Sequence, residues 1–187
     1  MKKMTIVTVV VVALVAAVLL GCKFIRGQVV DGPGMERDST EVKAMDEISG
    51  KIHEPYAAAA QNAPDIDFRF ACHTWRDMVA AVEKQDANDP EVDDIGFFND
   101  DYWTMMQDDN PEDLEARNIS FVELDVEKGT ALVDYELWSS VQTIHQRFRF
   151  CHEDGEWRVH DIIRYYRDAD GKETAHSLME AMQAYLK

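Results

Sequence analysis

The chain has 187 residues, enough for one ordinary domain plus a short targeting segment and too few for two independent catalytic domains. Hydrophobic residues make up 46% and charged residues 29%, the balance of a globular chain rather than a disordered or fibrous one. Asp and Glu number 36 against 19 Lys and Arg, a net charge of −17, which argues against a nucleic-acid partner because a phosphate backbone demands a basic surface.

Lys2 and Lys3 precede an apolar run over residues 4–20 that ends in Leu19-Leu20-Gly21-Cys22. A basic start, an apolar run and a terminal cysteine, in that order, predict a bacterial export signal over residues 1–21, outside the fold. The tetrapeptide resembles a lipobox, which implies that Cys22 is acylated and becomes the mature amino terminus. Leu20 departs from the small or β-branched residue preferred at its position, and the alternative is an uncleaved anchor, since the run is about long enough to span a bilayer. Either way the rest of the chain is expected outside the cytoplasm, tethered to a membrane of the bacterial cell envelope, as a periplasmic lipoprotein would be. Cleavage would remove two lysines and no acid, leaving a still more acidic protein.

Residues 22–40 carry Gly27, Gly32, Pro33 and Gly34 among charges and read as a linker, with the domain at residues 41–187. Val42, Met45, Ile48 and Ile52 recur at helical spacing behind Ser39 or Thr40 as cap, and Pro55 is expected to kink or end that helix, with residues 57–60 adding at most a turn. Phe68, Cys72, Trp75, Val79 and Val82 form one apolar stripe and predict a second long helix. It ends before an acidic stretch over residues 86–94. That stretch and the aspartates that follow it do not match a calcium-loop pattern, so a solvated acidic loop is expected.

From Asn118 onward the apolar period becomes two. Lys128-Gly129 joins predicted strands 119–127 and 130–139, and Asp154-Gly155 joins 143–153 and 156–166, which makes a four-stranded antiparallel meander. Two-residue turns set Val122 opposite Tyr135, Leu137 opposite Ile144, Phe150 opposite Val159 and Phe148 opposite Asp161. The outer face pairs Asp134 with Arg147 and Glu136 with His145. Asp170 and Glu173 look like a capping box for a last helix carrying Ala175, Leu178, Met179, Met182 and Tyr185. The fold class is therefore α+β, a curved four-stranded meander wrapped around N-terminal helices, plus a C-terminal helix.

Ile95-Gly96-Phe97-Phe98-Asn99-Asp100-Asp101-Tyr102-Trp103, then Gln107-Asp108, then Asp154-Gly155-Glu156-Trp157-Arg158-Val159 before Asp161-Ile162, resembles bacterial exported domains of unknown function with a nuclear-transport-factor-2-like (NTF2-like, or cystatin-like) cone fold. The resemblance covers roughly residues 66–166. It implies a fold and an exported location, often with a lipid anchor, and carries no activity with it.

The candidate site residues follow from the register. Asp161 falls on the apolar inner face, where a carboxylate must be hydrogen-bonded or serve a pocket. Tyr135, Gln146 and Phe148 share that face, and Trp75 lies on the helix above it, so these five residues are the expected ligand-binding set. No catalytic residue, cofactor or metal site is assigned. The cysteine and histidine spacings do not match a zinc motif, and a helix-buried Cys72 would lack the electropositive setting of a reactive thiolate. A Cys72–Cys151 disulfide stays open on compartment alone, with Cys151 expected on the outer face. The expected role is a membrane-tethered domain that binds a small molecule or a protein. The rival is an isomerase or dehydratase using Asp161 as general base in a cone cavity.

Overall fold

The computed structural model describes residues 38–90, 96–98, 101–104, 113–167 and 170–187. The expected signal segment, Cys22 and most of the linker lie outside the described residues, as do Ile95, Asn99, Asp100 and residues 105–110 of the aromatic and acidic segment. The architecture is α+β. Helices α1 (Ser39–Ala60), α2 (Ile66–Phe70) and α3 (His73–Asp86) precede strands β1 (Glu115–Asp125), β2 (Thr130–Trp138), β3 (Thr143–Glu153), β4 (Glu156–Arg167) and β5 (Glu173–Ser177), and α4 (Leu178–Tyr185) closes the chain. The strands form one antiparallel sheet in sequence order. Among the described residues no helix is long and apolar enough to cross a membrane.

Helix α1 begins with the Asp38 carboxylate accepting from the Thr40 N–H, so the cap is one residue earlier than expected. It also runs through Pro55 to Ala60. Proline costs one backbone hydrogen bond, but Ile48, Ile52 and Tyr56 on the same stripe are buried to 2% exposure or less, and that packing carries the helix past it.

The stripe from Phe68 to Val82 is two helices, not one. The chain is extended at Ala71 and Cys72, where Ala71 makes a parallel bridge to Val159 and the Cys72 N–H donates to the Val159 carbonyl at 2.9 Å. Pairing with the free edge of β4 competes with helix continuation and wins there. Cys72 becomes the cap of α3, and Phe68, rotated away from the sheet, is 69% exposed.

The sheet has five strands rather than four. Residues 173–177 pair with β4, setting Tyr165 opposite Ala175, and Gly171 turns the chain with φ +79°. The final helix therefore starts at Leu178, capped by the Ser177 hydroxyl, and the Asp170 capping box does not form its start. The Asp154-Gly155 turn has the expected two residues, whereas the turn at Lys128-Gly129 spans four, residues 126–129, with Asp125 facing Thr130; Leu137–Ile144, Phe150–Val159, Asp134–Arg147 and Glu136–His145 pair as the alternation dictates.

Two pairings differ, and the longer turn before β2 and bulges in β1 and β4 are the reason. In β1, Arg117 faces Glu136 but Ser120 faces Asp134, and Phe121 faces Val133 but Glu123 faces Leu132. Each step inserts an extra residue. Asn118 adopts φ +53° at the first, and Val122, expected opposite Tyr135, is left 45% exposed at the second. In β4, Phe150 faces Val159 but Arg149 faces Asp161, so His160 is the extra residue and Phe148 meets Ile162 instead of Asp161.

The core lies between the inner sheet face and the helices. Ile48 and Ile52 of α1, Trp75 and Val82 of α3, Val133 and Leu137 of β2, Phe148 of β3, Val159 and Ile162 of β4 and Met182 of α4 are all fully buried. Trp103, from the segment between α3 and β1, enters the same core at 3% exposure, with its ring edge-on to Phe148 at 5.9 Å.

Candidate functional site

The five residues expected to line a ligand pocket separate into two groups. Trp75, Tyr135, Gln146 and Phe148 are each 1% exposed or less and pack in the core, Tyr135 lying edge-on to Phe148 at 4.9 Å. Tyr135 donates to Gln146 Oε1 at 2.6 Å, Tyr56 of α1 donates to the same oxygen at 3.2 Å, and the two hydroxyls are 2.6 Å apart. This buried triad ties α1 to β2 and β3. Burial pushes both phenols up from their ordinary pKa, so both are neutral at physiological pH.

Asp161 is apart from them, opposite Arg149 on the other side of the sheet. Its Oδ2 accepts from the Ser177 hydroxyl at 2.7 Å and its Oδ1 from the Met179 N–H at 3.0 Å. Burial raises its pKa, while those two donors act to lower it. Both oxygens are thus spent on the start of α4.

An open cleft of about 530 Å3 lies elsewhere, between the α2 segment, one face of α3 and the 101–104 turn. Its organising residue is Asp67, which sequence reasoning did not single out. Trp75 Nε1 donates to Asp67 Oδ1 at 3.0 Å, Trp103 Nε1 donates to the same oxygen at 2.8 Å, and the Tyr102 hydroxyl donates to Oδ2. A carboxylate with three aromatic donors fixes three rings at once, and Tyr102 lies 5.8 Å from Trp75. Asp101 shapes the adjacent turn by accepting from the Trp103 and Thr104 N–H groups at 2.8 and 3.3 Å.

The cleft is acidic and aromatic together. Asp65, Asp67, Glu83 and Asp101 supply carboxylates, and Phe68, Tyr102 and Trp103 supply ring surface. Arg76 is the one cation among the described lining residues, and its guanidinium lies over the Phe68 ring, 4.9 Å from the centroid. Burial holds the Tyr102 phenol well above its ordinary pKa, and the negative charges of Asp67, Glu83 and Asp101 push it the same way.

A second cluster sits on the outer sheet face. Cys72, Cys151 and His160 bring one ligand atom each within 4.8 Å of one another, and Cys72 Sγ is 3.3 Å from His160 Nδ1. Neither thiol is in a disulfide. Cys151 faces Arg158, on the expected outer side, and the strand-edge position of Cys72 lets its sulfur reach that side. The Cys72 thiol is drawn below its ordinary pKa by a hydrogen bond with Cys151, then by His160 and the Trp75 N–H, while Cys151 is pushed up. The expectation that Cys72 lies within a helix is corrected: the residue caps a helix, and its thiol stays buried. The sequence signal was hidden because Phe68, Cys72 and Trp75 keep helical spacing across the break.

No protein-family model, curated protein or solved structure matches this chain.

Proposed function

We propose that this chain is a membrane-tethered, extracytoplasmic domain of NTF2-like type, anchored through Cys22, that binds a cationic ligand carrying apolar surface in the cleft of α2, α3 and the 101–104 turn. The observation that carries the reading is the lining itself, four carboxylates and three aromatic rings around about 530 Å3 with Arg76 the one described cation. Pockets that combine apolar walls with a few fixed polar groups give affinity and orientation together, and ring faces attract cations directly. The overall charge of −17 adds a long-range attraction for the same ligands. The tether rests on the order of Lys2, Lys3, the apolar run and Cys22. Asp161 has no part in this binding, since it does not line the cleft and its carboxylate holds the start of α4.

The test uses tryptophan fluorescence, because Trp103 borders the cleft and Trp75 shares its carboxylate anchor. Titration with benzyltrimethylammonium should give a saturable change that weakens with salt and is lost in Glu83→Gln, whereas the uncharged isostere neopentylbenzene should bind at least about 10-fold more weakly. Equal responses to the two probes, or no saturable response, would overturn the reading.

A further inference from the structure

We propose that Cys72, Cys151 and His160 form a zinc site on the outer face of the sheet, with three protein ligands and a fourth position open to water or an exogenous donor. The three residues come from separate elements, and a distinct local feature aims each. Cys72 is the capping residue of α3, held at the β4 edge by its N–H to the Val159 carbonyl at 2.9 Å. His160 is the extra residue of the β4 bulge, and bulges re-aim the side chain they carry. Cys151 occupies a regular β3 position opposite Arg158.

The spacing of the ligand atoms fits the ion. Zinc bonds of ~2.3 Å to sulfur and ~2.0–2.1 Å to nitrogen in a tetrahedron place a sulfur and a nitrogen about 3.6 Å apart and two sulfurs about 3.8 Å apart. Cys72 Sγ and His160 Nδ1 are 3.3 Å apart, and the three ligand atoms all lie within 4.8 Å of one another, so modest side-chain rotation completes the geometry. The Trp75 N–H donates to Cys72 Sγ at 3.4 Å, an outer contact of the kind that orients a metal thiolate. Two sulfurs and an imidazole are a soft donor set, suited to zinc and unsuited to calcium or magnesium. The other acidic and histidine grouping, His73 with Glu153 and Asp154, is a surface contact whose nitrogen is already engaged, His73 Nδ1 lying 2.9 Å from Glu153. A Cys72–Cys151 disulfide would bring the sulfurs to ~2.05 Å and leave His160 without a role.

The experiment uses the full chain in detergent, reduced and freed of metal. Zinc is titrated against a chromogenic chelator, and Co2+ is used as a spectroscopic substitute. The expected result is one equivalent of zinc, and a Co2+ complex with sulfur-to-cobalt charge transfer and the strong visible bands of a tetrahedral site. Cys72→Ser keeps a good capping residue while removing a thiolate; it and Cys151→Ser should each cut the charge-transfer intensity per bound cobalt to about half or less and weaken binding, and an unchanged band in either would overturn the site. His160→Ala should weaken zinc by at least about 10-fold. Cys22→Ser should leave the titration unchanged, and loss of binding in that variant would reassign a ligand and overturn the site. Reduced wild-type protein that takes up neither ion, or protein isolated from its own envelope with a quantitative Cys72–Cys151 disulfide, would also overturn it.

Discussion

Trp103 and Asp67 are joined by one hydrogen bond of 2.8 Å that connects the segment before the sheet to α2, and the oxygen that receives it also receives the indole N–H of Trp75. Asp67 is therefore a junction of three segments. Asp67→Ala leaves two indole N–H groups and the Tyr102 hydroxyl without their acceptor, and is expected to lower stability by about 3–5 kcal/mol. Asp67→Asn keeps one acceptor oxygen and should cost less. Urea unfolding followed by tryptophan emission checks both, and an Asp67→Ala midpoint equal to wild type would remove Asp67 from this role.

Trp103 is 3% exposed and lies within 6.4 Å of Trp75 and 5.9 Å of Phe148, centroid to centroid. Trp103→Ala should cost about 3–5 kcal/mol. Trp103→Phe keeps most of the apolar contact and loses only the bond to Asp67, so it should cost clearly less. Comparing the two by thermal unfolding separates packing from hydrogen bonding.

Tyr135→Phe removes one hydroxyl from the buried triad while Tyr56 still donates to Gln146. The expected loss is about 1 kcal/mol, the net worth of a single hydrogen bond. Gln146→Leu removes the acceptor the two hydroxyls share, leaving them only each other, but also removes the Gln146 Nε2 atom, which is buried without a partner. Its cost should therefore be no larger than that of Tyr56→Phe combined with Tyr135→Phe, which chemical denaturation measures directly.

Asp161→Ala should detach the start of α4 rather than empty a pocket. Its oxygens hold the Ser177 hydroxyl and the Met179 N–H, so the expected cost is about 1–3 kcal/mol, with faster hydrogen exchange at the Met179 amide. Asp161→Asn retains an acceptor for that amide and should behave close to wild type. Unchanged exchange at Met179 in Asp161→Ala would contradict the assignment.

His53 supplies a pH dependence. Burial lowers its pKa from the ordinary 6.5, against an opposing pull from Glu115. The unfolded chain then binds a proton at a higher pH than the folded one. Stability at this site is complete above pH 6.5 and is lost as pH falls through the unfolded value toward the folded one. His53→Gln should flatten the fall in stability between about pH 7 and pH 5 relative to wild type. Urea midpoints across that range provide the measurement; parallel curves for the two proteins would rule the contribution out.

Much of the sheet was legible because its signals are local. Lys128-Gly129 and Asp154-Gly155 set two turns, and at Gly129, φ +65°, a Cβ would lie 2.9 Å from the His152 Cβ, so the glycine there is required. The bulges were not legible, because a period-two pattern carries no mark for an inserted residue, and one insertion at His160 moved Asp161 from the predicted inner face to a position opposite Arg149. The strand at residues 173–177 was read as helix since Ala175 and Leu178 also fit a helical stripe; pairing with β4 decides it. The cleft was invisible for a further reason. Asp67 collects Trp75, Tyr102 and Trp103 through contacts 8, 35 and 36 residues apart, which no local period encodes.

The parallel bridge between Ala71 and Val159 bears on how the molecule behaves at high concentration. β5 covers only the far half of the β4 edge, from Ile163 to Arg167, and the Ala71–Cys72 crossing occupies part of the remainder. On that side an incoming strand meets either a five-residue strand or a backbone already engaged. On the opposite side β1 is broken by two bulges and carries Glu115, Arg117, Glu123 and Asp125. Short, bulged and charged rims are poor templates for strand addition. Among the described residues the sheet therefore ends at five strands, and self-association through its edges is disfavoured even at high protein concentration.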